Sequence, residues 1–91
     1  MNFEEPAFLV VGCSASGALE PLALEQPEAT AVGIARSYST DLAKRFSSVL
    51  VYETGIRTLR IFQLASKREL DYFVSRTKCV ARLVGGNLKR V

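Results

Sequence analysis

SVLVYETGIRTLRIFQLASKRELDYFV, residues 48–74, is the stretch on which the fold turns. Val49–Glu53 is dense in β-branched and aromatic residues and reads as a strand. Thr54-Gly55 marks a turn. Leu59–Leu64 sets Leu59, Ile61 and Leu64 against Arg60 and Gln63, the alternation of a half-buried strand, so the two runs suit an antiparallel hairpin. The rest reads two ways. Ser66-Lys67-Arg68-Glu69 fits a capping box. Leu70, Phe73, Val74, Thr77, Val80, Ala81 and Val84 then recur at helical steps, and Gly85-Gly86 ends that helix. In the other reading the chain turns at Lys67–Glu69. Leu70–Ser75, with its Tyr72-Phe73-Val74 group, is then a third strand followed by a short terminal helix.

Working backwards from this stretch, Ala29–Phe46 has a helical period. Ala31, Ile34, Ala35, Tyr38, Leu42 and Phe46 form one stripe, with Lys44 and Arg45 in the last turn, where cations complement the dipole. Pro27 suits the first turn of that helix. Ala7–Cys13 is a continuous apolar run with the length of a buried strand. Ser14–Gly17 suits a hairpin turn, and Ala18–Leu24 a second strand. Pro21 removes a backbone donor, so that strand belongs at an edge or is bulged.

Ninety-one residues make one small domain spanning residues 1–91, of class α+β. With Leu70–Ser75 as a strand, the chain is a two-layer fold, a five-stranded antiparallel sheet with the long helix on one face. With a helix there and Asn87–Val91 as the last strand, the order approaches βαββαβ, the ferredoxin-like arrangement.

The first order resembles the roadblock family, whose core is close to longin and profilin-like folds. FLVVGCSASGALEPLAL (8–24) looks like its opening hairpin, ATAVGIARSYSTDLAKRF (29–46) like its Ala-rich central helix, and SVLVYETGIRTLRIFQLASKRELDYFVSR (48–76) like its closing meander. The resemblance implies a non-enzymatic adaptor or scaffold that forms homodimers or pairs with a paralogue, edge to edge, and serves a small GTPase or a larger assembly. Val49, Val51 and Tyr52 on an edge strand, with Ala31, Ala35 and Tyr38 on the helix, are then the interface candidates.

Composition narrows the function classes. A hydrophobic share of 48% supplies a core. Two cysteines and no histidine indicate neither a disulfide framework nor a zinc site, and a cytoplasmic protein with reduced thiols is the simplest expectation. No apolar run has the roughly 20 residues of a membrane helix. The opening residues MNFEEPAF carry two glutamates and no basic region, unlike a secretory signal.

The chemistry-bearing motifs are near misses. Gly12 and Gly17 have P-loop spacing, but Ala18-Leu19 stands where Lys and Ser/Thr belong, so no cation reaches a phosphate. Gly12-Cys13-Ser14-Ala15-Ser16 misses the nucleophile elbow by one residue, and without histidine a Ser-His-Asp relay cannot form. Cys13, closing an apolar strand, reads as inert, while Cys79 beside Lys78 and near Arg82 is the better candidate for a reactive thiol. The expectation is no catalytic residue, no metal and no cofactor.

Net charge +3 conceals an asymmetry. Residues 1–35 carry five acids and no base, and residues 36–91 carry twelve bases against four acids. Arg76, Lys78, Arg82, Lys89 and Arg90 cluster late in the chain. They frame the alternative to the adaptor: a ferredoxin-like module binding RNA or a small ligand through a basic C-terminal segment.

Overall fold

Pro6 opens the first strand of a five-stranded antiparallel sheet, and five of the six residues after it are apolar. The computed structural model describes residues 6–25, 27–40, 45–55, 74 and 77–90. Their elements are β1 (Pro6–Cys13), β2 (Leu19–Glu25), α1 (Glu28–Ser39), β3 (Ser48–Gly55), β4 (Lys78–Val84) and β5 (Asn87–Arg90). The sheet order is β2-β1-β3-β4-β5. This is an α+β fold, with two strands before α1 where the βαββαβ order has one.

The first hairpin follows its sequence signals. Ser14 N–H donates to the Ala18 carbonyl across the turn, and its hydroxyl accepts from Ala18 N–H. β2 lies at the sheet edge, and its register against β1 slips where Val10 pairs with Ala23 and Val11 with Pro21. Leu22 is the extra residue. A strand holding Pro21 is thus both an edge and bulged, which spares the missing donor from the ladder.

α1 begins after Pro27 at its N-cap and ends at Thr40, whose N–H bonds to the carbonyl of Arg36. The helical period continues in sequence to Phe46, but Arg45 and Phe46 lie outside any helix. The Ser39 hydroxyl donates to the Arg36 carbonyl, and that of Thr40 reaches the carbonyls of Arg36 and Ser37. Such back-bonding competes with the helical ladder and favours an end there. Ala31, Val32 and Ala35 bury the helix's inner face, and the two alanines bring it close to the sheet.

That contact forms the main core. Phe8 and Val10 of β1, Val49 and Val51 of β3, and Ala81 and Leu83 of β4 pack against Ala31, Val32 and Ala35. Each fully buried Val or Leu contributes on the order of 1.5–3 kcal/mol. The opposite face carries a second cluster of Leu9, Val11 and Tyr52, with Val74 packed against it. Among the described residues no buried side-chain nitrogen or oxygen lacks a hydrogen-bond partner.

Three expectations need correction. Val49–Glu53 is not an edge: β3 is the middle strand, paired with β1 on one side and β4 on the other. Residues 78–84 form a strand, neither the end of a long helix nor a terminal one. Val80, Ala81 and Val84 fit helical spacing, but Ala81 and Leu83 also alternate with Arg82, and both are fully buried. The buried β3 needs a hydrogen-bonded neighbour on its second side, and β4 supplies it. Gly85-Gly86 accordingly turns a hairpin. Both residues have positive φ (57° and 82°), as a type I′ turn requires, and Val84 faces Asn87 across it. Asn87–Arg90 is then a strand, as the βαββαβ reading had it. The expected strand Leu59–Leu64, the Ser66 capping box and all of Leu70–Ser75 except Val74 lie outside the described residues.

Candidate functional site

The structure divides the candidate residues into two groups. Val49, Val51, Ala31 and Ala35 are fully buried in the main core, and Tyr52 is buried in the second cluster. Tyr38 is half-buried, edge-on to Phe46 with ring centroids 6.1 Å apart. Within this chain, Val49, Val51, Ala31, Ala35 and Tyr38 pack where the sheet meets the helix, and Tyr52 packs on the sheet's other face. Sequence periodicity marks apolar stripes, but it does not say whether a stripe meets the chain's own sheet or a partner.

The basic residues come out differently. Arg76 lies outside the described residues. Lys78, Arg82, Lys89 and Arg90 are all exposed and share the β4–β5 hairpin. Two of them have acidic neighbours. Arg90 pairs with Glu28 at the start of α1, and Lys78 sits opposite Glu53 across the β3–β4 ladder. Arg82 and Lys89 face each other directly across β4 and β5 and pair with no acid among the described residues. Directly opposed like charges destabilise a strand pair by a fraction of a kcal/mol, so this pair is held at a small cost.

The two faces of the hairpin differ. Ala81 and Leu83 of β4, with Leu88 of β5, belong to the helix-side core, whereas Arg82, Val84, Asn87 and Lys89 alternate onto the other face. Val84 is 40% exposed there, the one exposed large apolar residue among those described. The turn is moored to the helix, because Gly86 N–H donates to the Ser39 hydroxyl at 3.0 Å.

The outer strands of the sheet are β2 and β5. β2 has its proline and bulge. β5 pairs with β4 in continuous register, with no bulge. Sequence reasoning made β2 an edge or a bulged strand from Pro21. It missed β5 as the other edge because it set Gly85-Gly86 at a helix end. The signal was available, since two adjacent glycines between Arg-Leu-Val and Asn-Leu-Lys also spell a two-residue hairpin.

The thiols and the phenol respond to their surroundings. Burial raises the Cys79 thiol above its ordinary value, against the opposing effect of hydrogen bonds to Ala81 and Val51 and the charge of Arg82. Its Sγ donates to the Ala81 carbonyl at 3.4 Å. The charge of Arg82 lowers the thiol's value by less than burial raises it. Burial, with the nearby Cys79 and Cys13 thiolates, pushes Tyr52 up to about 12. Among the described residues no group of three or more His, Cys, Asp or Glu is placed to hold a metal, and no helix is long and apolar enough to cross a membrane.

Gly12, at the near-miss phosphate loop, has a packing role. A Cβ there would stand 2.5–2.8 Å from three ring carbons of Phe46. The glycine leaves room for that ring over β1. The chain matches no protein-family model, no curated protein and no solved structure.

Proposed function

We propose that this chain is a non-enzymatic adaptor that binds another protein through an edge of its sheet. The partner is a second copy or a paralogue, or a member of a larger assembly such as one containing a small GTPase. The observation that supports this is the contrast between the outer strands: Pro21 and the bulge break the ladder groups of β2, whereas β5, though short and guarded by Lys89 and Arg90, keeps an unbroken register, and those charges repel a basic strand while admitting an acidic one. The partner classes come from the resemblance of residues 7–76 to the roadblock family. The contact surface proposed here is β5, since β3 is interior.

A second reading has its own support. Arg82 and Lys89, exposed and directly opposed, make a small site for an anion such as an RNA phosphate. Sedimentation velocity at micromolar concentration, alone and with a short single-stranded RNA, separates the two. The adaptor reading expects a species of twice the monomer mass, or a monomer indifferent to RNA. A monomer that binds RNA and loses it steeply with added salt contradicts the adaptor and supports the second reading.

A further inference from the structure

We infer that β5 is an acceptor strand for an extended acidic segment of a partner protein, which it adds to the sheet as a sixth strand; this deepens the adaptor reading and rests on it. The turn at Gly85-Gly86 fixes which backbone groups are open. In a two-residue hairpin the flanking pair, Val84 and Asn87, exchanges hydrogen bonds, and bonded and unbonded pairs then alternate. Asn87 and Lys89 therefore direct their N–H and C=O groups toward β4. Leu88 and Arg90 direct theirs outward, and β5 has no outer neighbour among the described residues. A strand laid along this edge bonds to Leu88 and Arg90.

The side chains specify the occupant. Lys89 and Arg82 lie side by side on the face away from α1, without an ion-pair partner among the described residues. A residue opposite Lys89 on an added strand shares that face, so it is acidic. The residue opposite Leu88 lies on the helix side, beside a half-buried leucine that packs on the main core, so it is apolar. The segment recognised is one that alternates acidic and apolar residues. A second copy of this chain offers no such strand in β2. Glu20 pairs with Gly12 and Glu25 with Phe8, which puts both acids on the helix side, and Pro21 interrupts the donors between them.

A fluorescein-labelled short peptide alternating valine and glutamate, titrated into the intact chain and read by anisotropy, tests this, with a valine–glutamine peptide as control. The expected result is saturable binding of the acidic peptide, at least tenfold tighter than the control. Leu88→Pro, which deletes an outward N–H and leaves the β4 ladder intact, weakens it at least tenfold, and so does Lys89→Glu. Shifts of the Leu88 and Arg90 amides in the 1H–15N spectrum of the unaltered chain keep the test independent of how the proline variant folds. Absence of binding, binding undiminished by both substitutions, or shifts confined to other strands overturns the inference. Sedimentation of the same samples separates the two claims. Self-association without binding of the acidic peptide removes the acceptor strand and leaves the adaptor standing. RNA binding with neither self-association nor peptide binding removes both.

Discussion

Replacing Gly12 by alanine places a methyl group in space that the Phe46 ring occupies. The added carbon would lie 2.5 Å from Cε1 and 2.6 Å from Cδ1. Ordinary carbon contacts are about 3.5–4.0 Å, so the ring must retreat by about 1 Å or more. It has little freedom to do so. Tyr38 meets it edge-on, and the Arg45 guanidinium lies over its face at 5.2 Å from the centroid. Gly12 itself is fixed by ladders on both sides, opposite Glu20 and Val49. Overpacking of this kind costs about 1–3 kcal/mol. For a domain of this size each kcal/mol lowers Tm by about 4–8 °C. Urea melts followed by circular dichroism measure the effect, in the native background and in Phe46→Ala. The methyl fits once the ring is gone, so the two substitutions couple by about 1 kcal/mol or more, Gly12→Ala costing less in the Phe46→Ala chain. Equal costs in the two backgrounds refute the packing argument and point to a backbone requirement at Gly12.

Other consequences can be checked separately. Gly86→Ala, with φ at 82° and Thr40 Cγ2 2.6 Å from the new Cβ, costs about 1–2 kcal/mol in urea melts, whereas Gly85→Asn is close to neutral because Asn suits the first position of a type I′ turn. Tyr52, raised to about 12 when folded against about 10 unfolded, contributes stability that is fully present below pH 10 and lost as pH rises toward 12, since there the unfolded chain gives up the proton first. Absorbance titration at alkaline pH shows one late phenol step, absent in Tyr52→Phe. Cys79, with its thiol raised by burial, reacts with a thiol-specific reagent at neutral pH more slowly than a free cysteine, as mass spectrometry of labelled peptides reports.

Where local chemistry and tertiary context agree, the fold was legible in advance. Pro21 marked β2 as an edge or a bulged strand, and it is both; the apolar run Ala7–Cys13 became a strand whose residues 7–12 are all buried. Val49–Glu53 was legible as a strand but not as the middle one, because β-propensity carries no information about how many neighbours a strand has. Val80, Ala81 and Val84 satisfy helical and strand spacing alike, and only the need of β3 for a second neighbour decides between them. The basic residues were visible as a cluster, yet their opposition across β4 and β5 depends on a turn that sequence reasoning set at a helix end. The interface candidates lie in the core for a related reason: Ala31, Ala35, Val49 and Val51 form a complementary pair of apolar surfaces, and the chain closes them on each other.

That this chain binds through the β5 edge is tested most directly by amide hydrogen exchange, read residue by residue in dilute solution and again with partner or with raised protein concentration. The Asn87 and Lys89 amides, bonded to β4, should be protected throughout. The Leu88 and Arg90 amides should exchange freely in the dilute chain and gain protection on association. Leu88 and Arg90 already protected in the dilute monomer, or unchanged when the complex forms, would contradict it.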